Sequence, residues 1–198
     1  IYNSAIFFKG EGIEKYDKVH LVPFGEYVLF KDILFFIRKI TDQIGEFTPG
    51  AEIKNLDFKG HAISTPICYE IIFPTLVRHF IAKGGELLVT QSNDSWYGTT
   101  SAPYQLLAMS LFRSIENRRF NLRATSSGIS AVISSTGEIC EKAGLNREAA
   151  ILAKFKYIKS KTIFTRFGFL FPFFNLLAIL IWRFLPWIVK KTKGPSVK

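Results

Sequence analysis

The chain has 198 residues, 48% hydrophobic and 21% charged, which excludes a disordered or collagen-like polymer. Its 26 Lys+Arg against 16 Asp+Glu give a net charge of +10, so anionic partners are favoured. No Arg/Lys-rich recognition helix and no aromatic–basic RNA motif is present, so phospholipid headgroups are expected and nucleic acid is not.

In chain order, 2–8 reads as a strand, followed by a Gly10-Glu11-Gly12 turn and a second extended stretch over 14–22. Pro23-Phe24-Gly25 breaks it. A helix is expected over 28–40, with Lys31, Asp32, Arg38 and Lys39 on one narrow stripe. Its broad apolar arc suits either a membrane surface or burial between two layers. Thr48-Pro49-Gly50 reads as a turn. The runs 53–58 and 61–67 form a hairpin-like pair around Lys59-Gly60, and the second leads to Cys68. A helix over 73–82 stops at Gly84-Gly85, a short strand covers 87–91, and 92–98 is a polar loop. Then follow a helix over 104–117 and strands over 120–124, 129–134, 138–142 and 150–155. Alternating strands and helices predict a layered α/β domain.

From 167 the character changes. The run 167–189 carries a single charge, Arg183, and about 20 apolar residues suffice for a helix to cross a bilayer. Trp182 and Trp187 suit an interface, and Lys190, Lys191 and Lys193 follow. Lysines also crowd the near side of the run, so charge does not set its orientation.

Two cysteines, Cys68 and Cys140, make no disulfide framework. Cys68 sits where a strand gives way to a helix, the sheet edge at which α/β sites form. A thiolate there would be stabilised by nearby amides and by any adjacent cation. A free cysteine also serves as a small buried hydrophobe, and a lone lysine as a solvated charge. His20, His61 and His79 lack ligand spacing, so no metal is expected, and no other cofactor is implied.

Three segments together narrow the choice: Tyr16-Asp17-Lys18-Val19-His20-Leu21-Val22-Pro23-Phe24-Gly25-Glu26, Thr65-Pro66-Ile67-Cys68-Tyr69-Glu70 and Gln91-Ser92-Asn93-Asp94-Ser95-Trp96-Tyr97-Gly98. They resemble the nitrilase superfamily, and within it the branch of apolipoprotein N-acyltransferases of the bacterial envelope. The resemblance implies a nitrilase-like αββα sandwich, N-terminally truncated, followed by one transmembrane helix. Residues 1–155 would be the C-terminal part of the catalytic domain, 156–166 a basic linker, 167–189 the membrane helix and 190–198 a basic tail.

By motif, Cys68 would be the nucleophile, and Lys18 would stabilise the thiolate and the oxyanion. Glu26 and Glu70 would orient Lys18 and the reacting carbonyl, and Tyr69 and Trp96 would shape the pocket wall. The implied partners are a phospholipid acyl donor, the N-terminal cysteine of an apolipoprotein and the membrane itself. The implied location is the bacterial inner membrane, with the catalytic domain on the periplasmic side. The superfamily's third catalytic group, a glutamate upstream of the lysine, is not matched in this chain. The expected activity is therefore N-acyl transfer, with an inactive truncated or split fragment, or a nitrilase-type amidohydrolase, as the rival readings.

Overall fold

The computed structural model describes residues 1–10, 12–27 and 47–192, with side chains of the final helix described as far as Leu185. The helix expected over 28–40 lies outside the described residues. The chain divides into two units, Ile1–Arg166 and Phe167–Lys198.

In the first unit, β1 (Ser4–Lys9) and β2 (Gly12–Asp17) form an antiparallel hairpin. Gly10 turns it at a φ of 53°, a left-handed conformation that costs glycine little. Six further strands make one sheet: β3 (Leu56–Phe58), β4 (His61–Ser64), β5 (Leu87–Ser92), β6 (Asn121–Thr125), β7 (Ser130–Ile133) and β8 (Ile139–Ala143), neighbours in that order. β4, β5 and β6 run parallel, and the remaining pairs are antiparallel. Parallel neighbours need a long crossover. Here the crossovers are α1 (Pro74–Ala82) and α2 (Ala102–Asn117). Each carries proline in its first turn, where a missing N–H costs no helical bond.

The helices cover one face of the sheet. Ile71, Val77 and Ile81 meet Leu88 and Leu106 in a buried cluster, and Leu107 joins Ile129, Ala131 and Ile133 in another. Side chains alternate along β5, so Leu88 and Thr90 are buried while Gln91 is exposed. Their register partners on β6, Asn121 and Arg123, are buried too. On the opposite face, Phe7, Phe58, Leu87, Val89, Leu122 and Tyr157 line an apolar cavity of about 230 Å³. The expected four-layer sandwich is thus represented, among the described residues, by one helix-backed sheet and a hairpin.

Three segments differ from the sequence expectation. The loop expected over 92–98 contains a 3-10 helix, Asp94–Tyr97, capped by the Asn93 side chain. Residues 150–155 form no strand. Phe155 and Tyr157 instead line the cavity on the sheet face, and the Tyr157 ring stacks on His61 at 3.7 Å. The stretch expected as a linker is pinned along its length. Ile158 N donates to Glu86 O, buried Arg119 donates to Gly85 O and Ser160 O at 2.8 Å each, and Lys161 Nζ donates to Ala82 O at 2.6 Å. The short helix α3 (Ile163–Phe167) follows, and Arg78 donates to Phe164 O.

In the second unit, α4 (Leu170–Thr192) is one helix of 23 residues. Its described side chains are exposed, including Phe171, Phe173, Phe174, Ile179 and Trp182. Among the described residues no helix is long and apolar enough to cross a membrane.

Candidate active site

Cys68 follows β4 and opens a 3-10 turn, Cys68–Ile72. Its φ is 51°, a left-handed backbone that a non-glycine residue adopts only when its surroundings impose it. Two ties impose it here. Ile67 bridges to Gln91 on the neighbouring parallel strand, and Ile67 N donates to Glu70 Oε2 at 2.8 Å. The result is an elbow with the thiol half-buried at the carboxyl end of the parallel strands.

Glu70 is fully buried and joins this elbow to the end of β2. Its Oε1 accepts from Tyr16 OH at 2.9 Å, Val19 N at 2.8 Å and His20 N at 3.0 Å. Burial pushes its carboxyl up from the ordinary value, while these donors and Ile67 N pull it back. Burial likewise raises the Tyr16 hydroxyl, with the Glu70 charge adding to the effect.

Lys18 sits immediately after β2, and its side chain is wholly buried. Its ammonium lies 2.7 and 2.9 Å from the two oxygens of Glu26. Glu26 also accepts from Asn3 Nδ2 at 2.7 Å and Val22 N at 2.8 Å. Four hydrogen bonds from three donor groups fix both the carboxylate and the cation it holds. Gly50 closes the far side of Lys18: its N donates to Lys18 O at 2.8 Å, and a Cβ there would strike Asp17 O.

A cavity of about 730 Å³ opens over this arrangement, lined by Cys68, Glu26, Gln91, Trp96 and Tyr97 among others. The structure thus gathers Cys68 and Glu26 at the cavity, with Lys18 behind Glu26 and Glu70 beneath the elbow. Trp96 is exposed at the cavity rim. Tyr69 is not among the lining residues, and its ring lies edge-on to Phe73 at 5.4 Å. No group of metal-ligating side chains converges among the described residues.

Sequence reasoning missed Tyr16, whose buried hydroxyl completes the Glu70 cluster, and the buried pair Asp94–Arg123 at 2.8 Å. An arginine inside the otherwise strand-like run 120–124 was the available signal for the second, since a charge there demands a partner.

A protein named apolipoprotein N-acyltransferase from Geobacter metallireducens is 40% identical over 171 residues, 85% of this chain and 33% of its own. One of the same name from Azotobacter vinelandii is 31% identical across 100% of this chain and 39% of its own. The chain therefore spans about a third of the length of these relatives. A solved nitrilase-superfamily member from Saccharomyces cerevisiae has a TM-score of 0.56 at 23% identity, over 74% of this chain and 51% of its own, and so shares the fold. The carbon-nitrogen hydrolase family model matches residues 1–158. That model covers most of the chain, and the chain belongs to the carbon-nitrogen hydrolase family.

Proposed function

We propose that this chain carries the cysteine and lysine of an acyltransferase that moves a fatty acyl group from a phospholipid to the N-terminal amine of a diacylglyceryl-cysteine lipoprotein. One observation carries the reading: a left-handed cysteine elbow on a large cavity that Glu26 also lines, with the buried Lys18 ammonium held by Glu26. The names of the relatives supply the substrate class.

The chemistry runs in two halves. Cys68 gives its proton to a base, and the thiolate attacks the ester carbonyl of the phospholipid. The lysophospholipid alkoxide leaves and takes a proton, so the acyl group is held on sulfur as a thioester. The lipoprotein amine, freed of its extra proton by the base, then attacks. The C–S bond breaks, the proton lost by the attacking nitrogen passes to the departing thiolate, and an amide and the free Cys68 thiol remain. Lys18 supplies positive charge for the oxyanion formed in each half. Glu70 acts through the elbow and the Lys18 strand end, not on the reacting atoms.

The donor is a bilayer lipid, and we read α4 as the part that meets lipid. Supporting this, Phe171, Phe173, Phe174, Leu176, Leu177 and Ile179 are exposed on this helix. The corresponding location is the inner membrane, with the site on its periplasmic side.

The test replaces the aligned third of the Geobacter relative with this chain, in cells depleted of their own enzyme. Lipoprotein N-acylation and a hydroxylamine-labile acyl adduct on Cys68 are expected, and both vanish in Cys68→Ala. An adduct on Cys140 instead, or acylation that survives Cys68→Ala, would sink the reading.

A further inference from the structure

Part of the cavity wall is built from the ends of β5 and β6 and the loops that follow them, and it is tied by groups outside the lining. Asp94 and Arg123 form an ion pair at 2.8 Å, with both side chains fully buried. Asp94 Oδ1 also accepts from Ser92 Oγ, and Arg123 Nε donates to Ile129 O at 3.3 Å. Arg123 Nη1 is buried with no hydrogen-bond partner among the described residues, so the cation leans on Asp94. Gly128 presses on the same carboxylate so closely that a Cβ there would collide with it.

Neither charge touches the cavity itself. Its lining includes their chain neighbours: Asn93, Trp96 and Tyr97 beside Asp94, and Ala124, Thr125 and Ser126 beside Arg123. A second stitch, Ser126 Oγ donating to Asn93 Oδ1 at 2.7 Å, joins the two loops at the surface. Burying two charges is costly, and hydrophobic replacements of similar volume are often as stable. A stability role alone therefore explains the pair poorly, and control of wall position explains it better.

We propose that the buried Asp94–Arg123 pair is a positioning device that sets the Asn93–Tyr97 wall against Cys68, so that a long acyl chain, rather than any small electrophile, is presented to the thiol. Electrostatics agree: burial pulls the Arg123 guanidinium down, and Asp94 chiefly restores it. The inference deepens the acyltransferase reading by assigning the residues that select the chain.

The test uses the full 198-residue chain in detergent, with Cys140→Ser so that Cys68 is the reacting thiol. Alkylation rates are measured with iodoacetamide and with its N-dodecyl derivative. In Arg123→Met the ratio of long-chain to short-chain rate is expected to fall about tenfold, the scale of a small misplacement at a reacting centre. Arg123→Lys keeps the charge for Asp94 and is expected to recover most of the ratio. Gly128→Ala, which displaces the carboxylate from its other side and leaves Arg123 intact, is expected to lower it. If Arg123→Met does not fold, Gly128→Ala decides. An unchanged ratio, or a loss that lysine does not repair, overturns the proposal. The readout needs no acyl transfer. If the expected ratios appear but the chain, replacing the aligned third of the Geobacter relative, restores no lipoprotein N-acylation, the acyltransferase reading is refuted and the wall assignment stands.

Discussion

Lys18 and Glu26 are paired, but they are not equivalent. The lysine side chain is 0% exposed, whereas 13% of the glutamate reaches solvent. Without Glu26, the ammonium would be left in the interior with no counter-charge, a loss of about 3–5 kcal/mol. Without Lys18, Glu26 would still accept from Val22 N and Asn3 Nδ2 and could take water at its exposed edge. Glu26→Ala is therefore expected to lower the melting temperature more than Lys18→Met, while both abolish transfer. Denaturant unfolding of the two variants checks the order, and the reverse order would mean that Glu26 is the better-solvated partner only in appearance. The motifs made these two residues legible as site residues. Glu26 was expected to orient Lys18, but that Glu70 holds two chain segments was not legible, because hydrogen-bond partners 50 or more positions apart leave no local pattern.

At the scale of elements, the elbow between β4 and α1 stores strain that can be measured. A non-glycine residue at a φ of 51° costs about 1–2 kcal/mol relative to glycine. Cys68→Gly and Cys68→Ala both remove the thiol, but only the first releases the backbone. We expect Cys68→Gly to be the more stable of the two by about 1 kcal/mol in chemical unfolding. Equal stabilities would show that the rest of the turn moves to relieve the residue.

The hairpin β1–β2 offers a second element-scale test. Lys9 Nζ bonds Glu14 at 2.6 Å and Asp57 at 2.9 Å, tying the hairpin to β3 at the surface. The Lys9 hydrogen bonds hold both carboxyls below their ordinary values. A depressed native value means that the contribution is present above the unfolded-state value and is lost as pH falls through the native one. Melting scans in acid should therefore show a loss below about pH 4, the unperturbed carboxylate range, that is shallower in Lys9→Met. Parallel acid limbs in the two proteins would remove the tie from the account. The strand expected over 150–155 illustrates why element reading fails locally. Alternating apolar residues suggest a face turned to the sheet, and Phe155 and Tyr157 do line its cavity, yet the pattern is silent on whether the backbone has a strand edge to pair with.

On the scale of the whole molecule, the question is whether 198 residues suffice for turnover. Thiol acylation needs a group to take the Cys68 proton, and the second half-reaction needs one to deprotonate an amine that is charged at neutral pH. A positioned base contributes typically ~10²–10⁴-fold in such roles. Among the described residues that line the cavity, Glu26 is the carboxylate present, and it is already committed to Lys18, Asn3 and Val22. Lys18 cannot take the proton while its ammonium is held by that carboxylate. Glu70 sits beneath the elbow and accepts four other donors. The relatives are about three times as long and have further chain from which a base can come. We therefore expect the purified 198-residue chain to transfer no acyl group alone, and to do so when the remaining two-thirds of a relative is supplied as a separate polypeptide. Lipoprotein N-acylation measured with each part alone and with both together gives the answer. Turnover by the isolated chain would overturn the expectation and make Glu26 the first residue to test as the base, because releasing Lys18 would free the one carboxylate that already faces the cavity.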